Sequence, residues 1–279
     1  MATHRLLEAF RAPKPAFGAW ITLPGALNAR TAALASPHLS WLLIDCEHGM
    51  TSLQPGAAES IQAISGLGSS APSTIVRIPA TGACADGSAG WQIKYVLDAG
   101  ARGVLVPMVS TAAQAKSIVA AARFPPKGIR GFGSPFTQST GGLTASEYLA
   151  SANDGVVVLI QIETVETVQN LDKILSVDGL DGVLIGPYDL SLAHNYPPPS
   201  PDPHPEVEVI IQEILRKAHA KGKKCAMYCT SGAQSNRRAQ QGFDMINVTS
   251  DSGALSKALA EDLAAAAGET IGQKDFGYN

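Results

Sequence analysis

Residues 98–106 read DAGARGVLV, and residues 240–248 read QQGFDMINV. Both follow one grammar: a helical stretch ends, a glycine makes the turn, and a short apolar run follows at once. Working outward, the same unit recurs along the chain. Apolar runs of strand length occur at Phe17–Thr22, Trp41–Asp45, Thr74–Ile78, Gly103–Pro107, Val156–Ile162, Gly182–Ile185, Lys224–Tyr228 and Asp244–Val248. They are near-continuously apolar instead of alternating, which marks strands covered on both faces, as in a parallel sheet. Stretches of helical character lie between them, at Asn28–Ala35, Ser52–Ile64, Trp91–Asp98, Thr111–Ala122, Val165–Ile174, Glu206–Ala220, Gly232–Gln241 and Ala254–Ala267. Ser110-Thr111 opens one helix, and Gly66, Gly100, Gly222 and Gly242 stand as left-handed stops after others. Eight β-then-α units in strict alternation predict a (β/α)8 TIM barrel. A doubly wound sheet is the alternative. It usually needs fewer strands, and no G-x-G-x-x-G follows an early run here.

Composition fits one large domain over residues 1–279, ending in a C-terminal helix and a short tail, GETIGQKDFGYN. The chain is 45% hydrophobic and 16% charged, which excludes a disordered chain. Its formal net charge is −3, so no basic excess exists to neutralise the phosphates of a nucleic acid. The four cysteines, at 46, 84, 225 and 229, are scattered. Cys225 and Cys229 form C-x3-C, neither a redox pair nor half of an obvious zinc site, so buried free thiols in a reducing compartment are expected. The start MATHRLLEAFRAPKPAF reads as a short amphipathic helix without the apolar core of a secretory signal. No apolar run approaches the roughly 18 residues of a membrane span. A soluble cytoplasmic protein is expected.

Two segments break the rhythm. Residues 123–155 are a Gly/Ser/Thr-rich excursion after the fourth unit, and residues 197–205 (PPPSPDPHP) are a proline-rich loop after the sixth strand. Long loops in a compact domain are usually functional or disordered, and both are expected on or beside the strand-to-helix side.

Barrel enzymes carry their chemistry at the C-terminal ends of the strands. Those ends supply Asp45, Glu47 and His48 after the second run, Arg77 in the third, Gln161 and Glu163 at the fifth, and Asp189 after the sixth. Unpaired burial of such groups is costly, so their convergence on one mouth implies a site. Glu163 and Asp189 fall on successive strand ends. Each alone reads as readily as an acid stabilised by a helix start. Together they suit a hard cation, Mg²⁺ or Mn²⁺ first, with Co²⁺ or Zn²⁺ as softer alternatives. His48 stands three residues after Asp45, which could hold one imidazole tautomer for general-base work; a satisfied loop histidine is the plainer reading. Glu47 could orient a metal-bound water instead. Arg77 interrupts TIVRIP and must meet an anion, either a structural carboxylate or a substrate. Gly186-Pro187 would open a helix whose N–H groups could receive a substrate carboxylate.

Taken together, WLLIDCEHG (41–49), VRIP (76–79), IKYVLDAGARGVLVPMV (93–109), PPKGIRGFG (125–133), QIET (161–164) and DGVLIGPYDLS (181–191) resemble the metal-dependent class II pyruvate aldolases, typified by 4-hydroxy-2-oxo-heptane-1,7-dioate aldolase. The resemblance runs from about residue 16 to 260. It implies a (β/α)8 barrel, a divalent metal, and reversible cleavage of 4-hydroxy-2-oxo acids to pyruvate and an aldehyde through an enolate. On that resemblance Glu163 and Asp189 hold the metal, His48 with Asp45 is the base dyad, and Arg77 holds pyruvate and its enolate. Gln161 belongs to the site. Asp98 reaches a neighbouring subunit's site, in a trimer or hexamer with swapped C-terminal helices. The chain departs from the family pattern at Pro79–Gln92, which is several residues longer than usual. Relatives with decarboxylating chemistry make oxaloacetate decarboxylation the rival activity, and a non-catalytic binding or scaffold barrel is the rival of another kind. A Schiff-base mechanism would need a lysine at a strand's C-terminal end, and none is there.

Overall fold

The computed structural model describes residues 4–12, 14–79, 89–140 and 142–269. In chain order its elements are α1 (Arg5–Arg11), β1 (Ala16–Ile21), α2 (Ala26–Ala33), β2 (Trp41–Asp45), α3 (Ala58–Ser65), β3 (Ser73–Arg77), α4 (Gly90–Asp98), β4 (Gly103–Val106), α5 (Ala112–Ala122), α6 (Pro135–Thr140), α7 (Ala145–Ala152), β5 (Val157–Ile162), α8 (Val165–Gln169), α9 (Leu171–Leu175), β6 (Gly182–Ile185), α10 (Pro187–Ala193), α11 (Pro205–Ala220), β7 (Lys224–Met227), α12 (Gly232–Gln240), β8 (Met245–Ser250) and α13 (Asp251–Ala267). Eight parallel strands pair in sequence order, and β8 closes onto β1. This is the (β/α)8 barrel expected from the alternation, with each strand within two residues of its apolar run.

Two cores follow from the two faces of the strands. Trp20, Trp41, Leu43, Ile75, Leu105, Leu159, Leu184 and Met245 fill the barrel interior. Leu42, Ile44, Val76, Val104, Ile160 and Val183 face outward and meet Ile61, Ile93, Ile118, Ile174 and Ile211 of the surrounding helices. Because strand side chains alternate, the inward set continues upward as Asp45, Arg77 and Gln161. The site is therefore the top layer of the inner core. Leu6 of α1 joins this core from below, and α1 plugs the N-terminal end of the barrel.

Several expectations need correction. The stretch Ser52–Ile64 is not one helix. Pro55 has no N–H to give and pushes Gln54 into extended geometry (φ −140°, ψ 132°), so a wide turn at Leu53–Ala57 precedes α3. Val165–Ile174 breaks at Asn170 into α8 and α9. Gly100, Gly222 and Gly242 have positive φ as expected, but Gly66 keeps a right-handed φ of −61°. Residues 123–155 contain α6 and α7 and lie between α5 and β5. That is the helix-to-strand side, away from the mouth, because α5 has already carried the chain back down. Residues 197–205 do lie beside the mouth: Gln234, near the start of α12, donates to the Pro201 carbonyl (3.0 Å) and to Asp202 (3.2 Å). Most of the long Pro79–Gln92 connection, with Cys84, falls outside the described residues, as does most of the tail after 268. Among the described residues no helix is long and apolar enough to cross a membrane.

Candidate active site

The β2–β3 register sets Asp45 opposite Arg77. Asp45 is wholly buried, and its carboxylate takes the guanidinium side-on: Nε donates to Oδ1 at 2.8 Å and Nη2 to Oδ2 at 2.6 Å. Burial pushes this carboxyl up, but the hydrogen bonds and charge of Arg77, helped by two backbone N–H groups, hold it below its usual range. Those N–H groups belong to Glu47 (3.1 Å) and His48 (3.3 Å). Arg77 Nη1 also lies 3.2 Å from Glu47 Oε2, and its guanidinium sits 5.3 Å from the Trp20 ring centroid.

This geometry corrects the expected Asp45–His48 dyad. Asp45 ends a strand with its side chain turned inward across to β3, so it receives His48's backbone N–H and not its ring. The imidazole's acidic neighbour is Glu47, with Nε2 3.7 Å from Oε2, and the His48 side chain is 55% exposed. His48 still stands at the mouth, on the turn directly after β2.

Across the barrel, Glu163 is only 3% exposed. Gln161 Nε2 donates to Glu163 Oε1, and the Met108 backbone N–H donates to Oε2 at 3.1 Å. Burial, then the charges of Asp189 and Glu47, push Glu163 up to about 8, against the pull of the Met108 hydrogen bond and of Arg77. Asp189 lies in the first turn of α10, exposed at the rim. Gly186 is shaped by this pair's neighbours: a Cβ there would fall 2.7 Å from Glu163 Oε1 and 2.9 Å from Gln161 Nε2. Gly186 and Pro187 open α10 as expected, but any N–H group that this helix start offers belongs to the residues after them. The Gly186 N–H is spent on the Ile162 carbonyl (3.3 Å), and proline has none.

A divalent cation fits these residues. A buried carboxyl raised by its own burial and by Asp189 regains its ionised form beside a cation, and Gln161 Oε1 is buried with no hydrogen-bond partner among the described residues. No three His, Cys, Asp or Glu side chains converge on one ion position among the described residues, so the two carboxylates would leave other coordination positions to water and substrate.

Two contributors were not read from the sequence. Trp20 carries Arg77's guanidinium. Its inward parity within FGAWIT was the available signal. Met108 adopts φ 56°, unusual for a residue with a side chain, and thereby aims its N–H at Glu163. Nothing in a side-chain pattern announces a backbone donor. Asp98 stands at the far end of α4, below the mouth, and pairs with Lys94 and with Arg130 (2.9 Å). It therefore cannot serve its own mouth. Burial raises the thiols of Cys46 and Cys229 to about 12, and that of Cys225 also upward, so these are inert packing residues.

A closed parallel barrel whose mouth gathers four carboxylates and one arginine has the form of a barrel enzyme's active site. A model of the HpcH/HpaI aldolase/citrate lyase family matches residues 17–258, and the chain belongs to that family. It is a carbon–carbon lyase. Over 248 residues it is 36% identical to a hydroxypyruvate/pyruvate aldolase of Agrobacterium fabrum, covering 89% of this chain and 88% of that one. Over 263 residues it is 38% identical to a 4-hydroxy-2-oxo-heptane-1,7-dioate aldolase of Salmonella typhimurium, covering 92% of each chain. A solved family member from Burkholderia cenocepacia superposes with a TM-score of 0.83 at 27% identity, covering 95% of this chain and all of that one.

Proposed function

We propose that this lyase cleaves 4-hydroxy-2-oxo acids reversibly to pyruvate and an aldehyde, with Glu163 and Asp189 holding a divalent cation, Mg²⁺ or Mn²⁺ first. The observation that carries the reading is the buried Glu163, raised by burial and by Asp189, facing the same mouth as a fixed arginine. When bound, the cation would supply Lewis acidity toward the carbonyl of the 2-oxo acid. The chain's own residues do the rest. Arg77, locked by Asp45 and Glu47, sets a permanent positive charge where negative charge develops on the keto oxygen. His48, with Glu47 beside it, takes the 4-hydroxyl proton. The C3–C4 bond then breaks, its electron pair passes to the C2–C3 bond and the keto oxygen, and the aldehyde leaves. Protonation at C3 completes pyruvate. Run backward, the same base removes the C3 proton. Gln161 holds Glu163, and Gly186 leaves the room that both need.

Oxaloacetate decarboxylation is the second reading. It is favoured by one observation: the His48 ring is more than half exposed and lies beyond hydrogen-bond distance of Glu47. Loss of CO₂ yields the same enolate without a base. A homo-oligomer, trimer or hexamer, in the cytoplasm belongs to the same proposal. The Leu255, Leu259 and Leu263 side chains exposed on α13 support the assembly.

The test is metal removal and ligand loss. EDTA should abolish turnover of pyruvate with simple aldehydes, and Mn²⁺ should restore it. Glu163→Gln or Asp189→Asn should weaken Mn²⁺ binding by at least about 100-fold, more than loss of a supporting residue would, with an unchanged circular dichroism spectrum. Full activity in EDTA, or unaltered Mn²⁺ affinity in both variants, would sink the reading.

A further inference from the structure

The carboxylate of Asp251 opens α13 on the mouth side of the barrel, yet most of its hydrogen bonds leave its own helix. Oδ1 accepts from the Thr22 backbone N–H, from the Thr22 hydroxyl and from the Ser252 N–H, each at 2.8 Å. Oδ2 accepts from the Leu23 N–H at 3.1 Å and from Asn28 Nδ2 at 2.7 Å. One side chain thus ties the end of β1, the start of α2 and the start of α13 together.

The chain of contacts continues into the site. The Thr22 carbonyl accepts the Met50 N–H at 2.8 Å. Gly49 is folded so closely over the ends of β1 and β2 that a Cβ there would lie 3.1 Å from the Thr22 carbonyl oxygen and overlap that of Asp45. His48 rides on this turn. Its upstream side is fixed by Asp45, which accepts the Glu47 and His48 N–H groups. Its downstream side has Thr22 as anchor, and Thr22 is held by Asp251.

We infer that Asp251 is a positioning residue for the His48 turn, acting through Thr22 and Met50. The inference rests on the reading of His48 as the base. Asp251 touches no reacting atom. Its part is to stop the β1 end from lifting, because a displacement of about 1 Å at the reacting centre can cost on the order of 100-fold in rate. The carboxylate form is needed, since both oxygens face only donors. An amide would turn its NH₂ against the Leu23 and Asn28 donors.

Asp251→Asn, assayed with divalent cation present, tests this. Amide hydrogen exchange of the peptide covering residues 46–52 should quicken. Exchange at C3 of pyruvate should fall about tenfold or more, while oxaloacetate decarboxylation falls less. In a His48→Ala background the further loss should shrink to within about twofold, as expected of residues acting in one unit. Adding Asn28→Asp, which offers an acceptor to the new amide, should restore part of the C3 exchange. Thr22→Val removes one donor to Oδ1 and serves in the same assays if Asp251→Asn does not fold. Unchanged amide exchange over 46–52 overturns the inference. So do equal losses in both reactions that add to those of His48→Ala, which would make Asp251 a mere staple of the fold. His48→Ala with undiminished C3 exchange would overturn the base reading alone. The amide-exchange comparison would then still decide whether Asp251 holds the turn.

Discussion

Arg77 shows how a single side chain can be placed correctly and yet read incompletely. Within TIVRIP it had to meet an anion, and both a structural carboxylate and a substrate were open. The structure supplies two structural carboxylates, Asp45 and Glu47. The partner was hidden because strand register is written in neither run. The spacing of Asp45 to His48 suggested a dyad for the same reason: nearness in sequence stood in for a direction that only the barrel fixes. By contrast, Glu163 was legible, since a charge directly ending a buried run has few places to go. The Asp45–Arg77 pair makes a stability prediction. Removing one partner of a buried pair strands the other, at about 3–5 kcal/mol. Arg77→Met should lose about that much in urea melts at neutral pH. The double variant with Asp45→Asn should recover part of it, because Asp45 is then no longer a buried charge without its cation, although Glu47 still lacks the Arg77 contact. A single-variant loss below about 1 kcal/mol would show that Asp45 is not held by this pair.

The strands were the most legible elements, because runs such as VVVLIQI are buried on both faces and carry no competing pattern. Short connecting helices were not. Ala145–Ala152 is helical through local capping by the Thr144–Glu147 box, and Pro187–Ala193 starts on a proline at its first position with no side-chain cap; neither has a long apolar stripe to announce it. α1 was legible as a helix but not as a plug. Its anchor is His4, whose Nδ1 accepts from the Leu7 N–H at 3.2 Å and meets the Ser73 hydroxyl at 3.0 Å, while Nε2 reaches the Arg102 carbonyl at 3.2 Å. Burial, then the charge of Arg102, lowers its pKa to about 4. The folded state therefore binds fewer protons than the unfolded one between the ordinary histidine range and about 4. Stability from this group is complete above that range and is lost as pH falls through it, by at most about 3 kcal/mol. His4→Asn keeps a capping acceptor and should flatten this part of the stability–pH curve. Denaturant melts of both proteins from neutral to acid pH measure the difference, and parallel curves would show that His4 does not hold the plug.

The barrel as a whole leaves one helix without a core of its own. α13 runs for 17 residues, and none of them is buried. Leu255, Leu259 and Leu263 recur every fourth residue and are each more than half exposed. This spacing lines them along one face. A lone exposed leucine needs no explanation, but a stripe of three on a helix with no buried side asks for a cover. Full burial of a leucine is worth about 1.5–3 kcal/mol, so three per protomer supply a substantial part of an association energy. We propose that Asp98, which pairs with Lys94 and Arg130 at the end of α4 away from its own mouth, also meets a neighbouring chain in that assembly. Leu255→Lys with Leu259→Lys should therefore convert a trimer or hexamer to smaller species in sedimentation equilibrium. The far-UV circular dichroism should persist, because the barrel closes without this face. The Asp251 clamp sits at the start of the same helix, so activity should fall along with mass if α13 needs its cover to hold that end in place. A monomeric parent protein, or a double variant of unchanged mass, would mean that the stripe covers nothing and that Asp98 serves only Lys94 and Arg130.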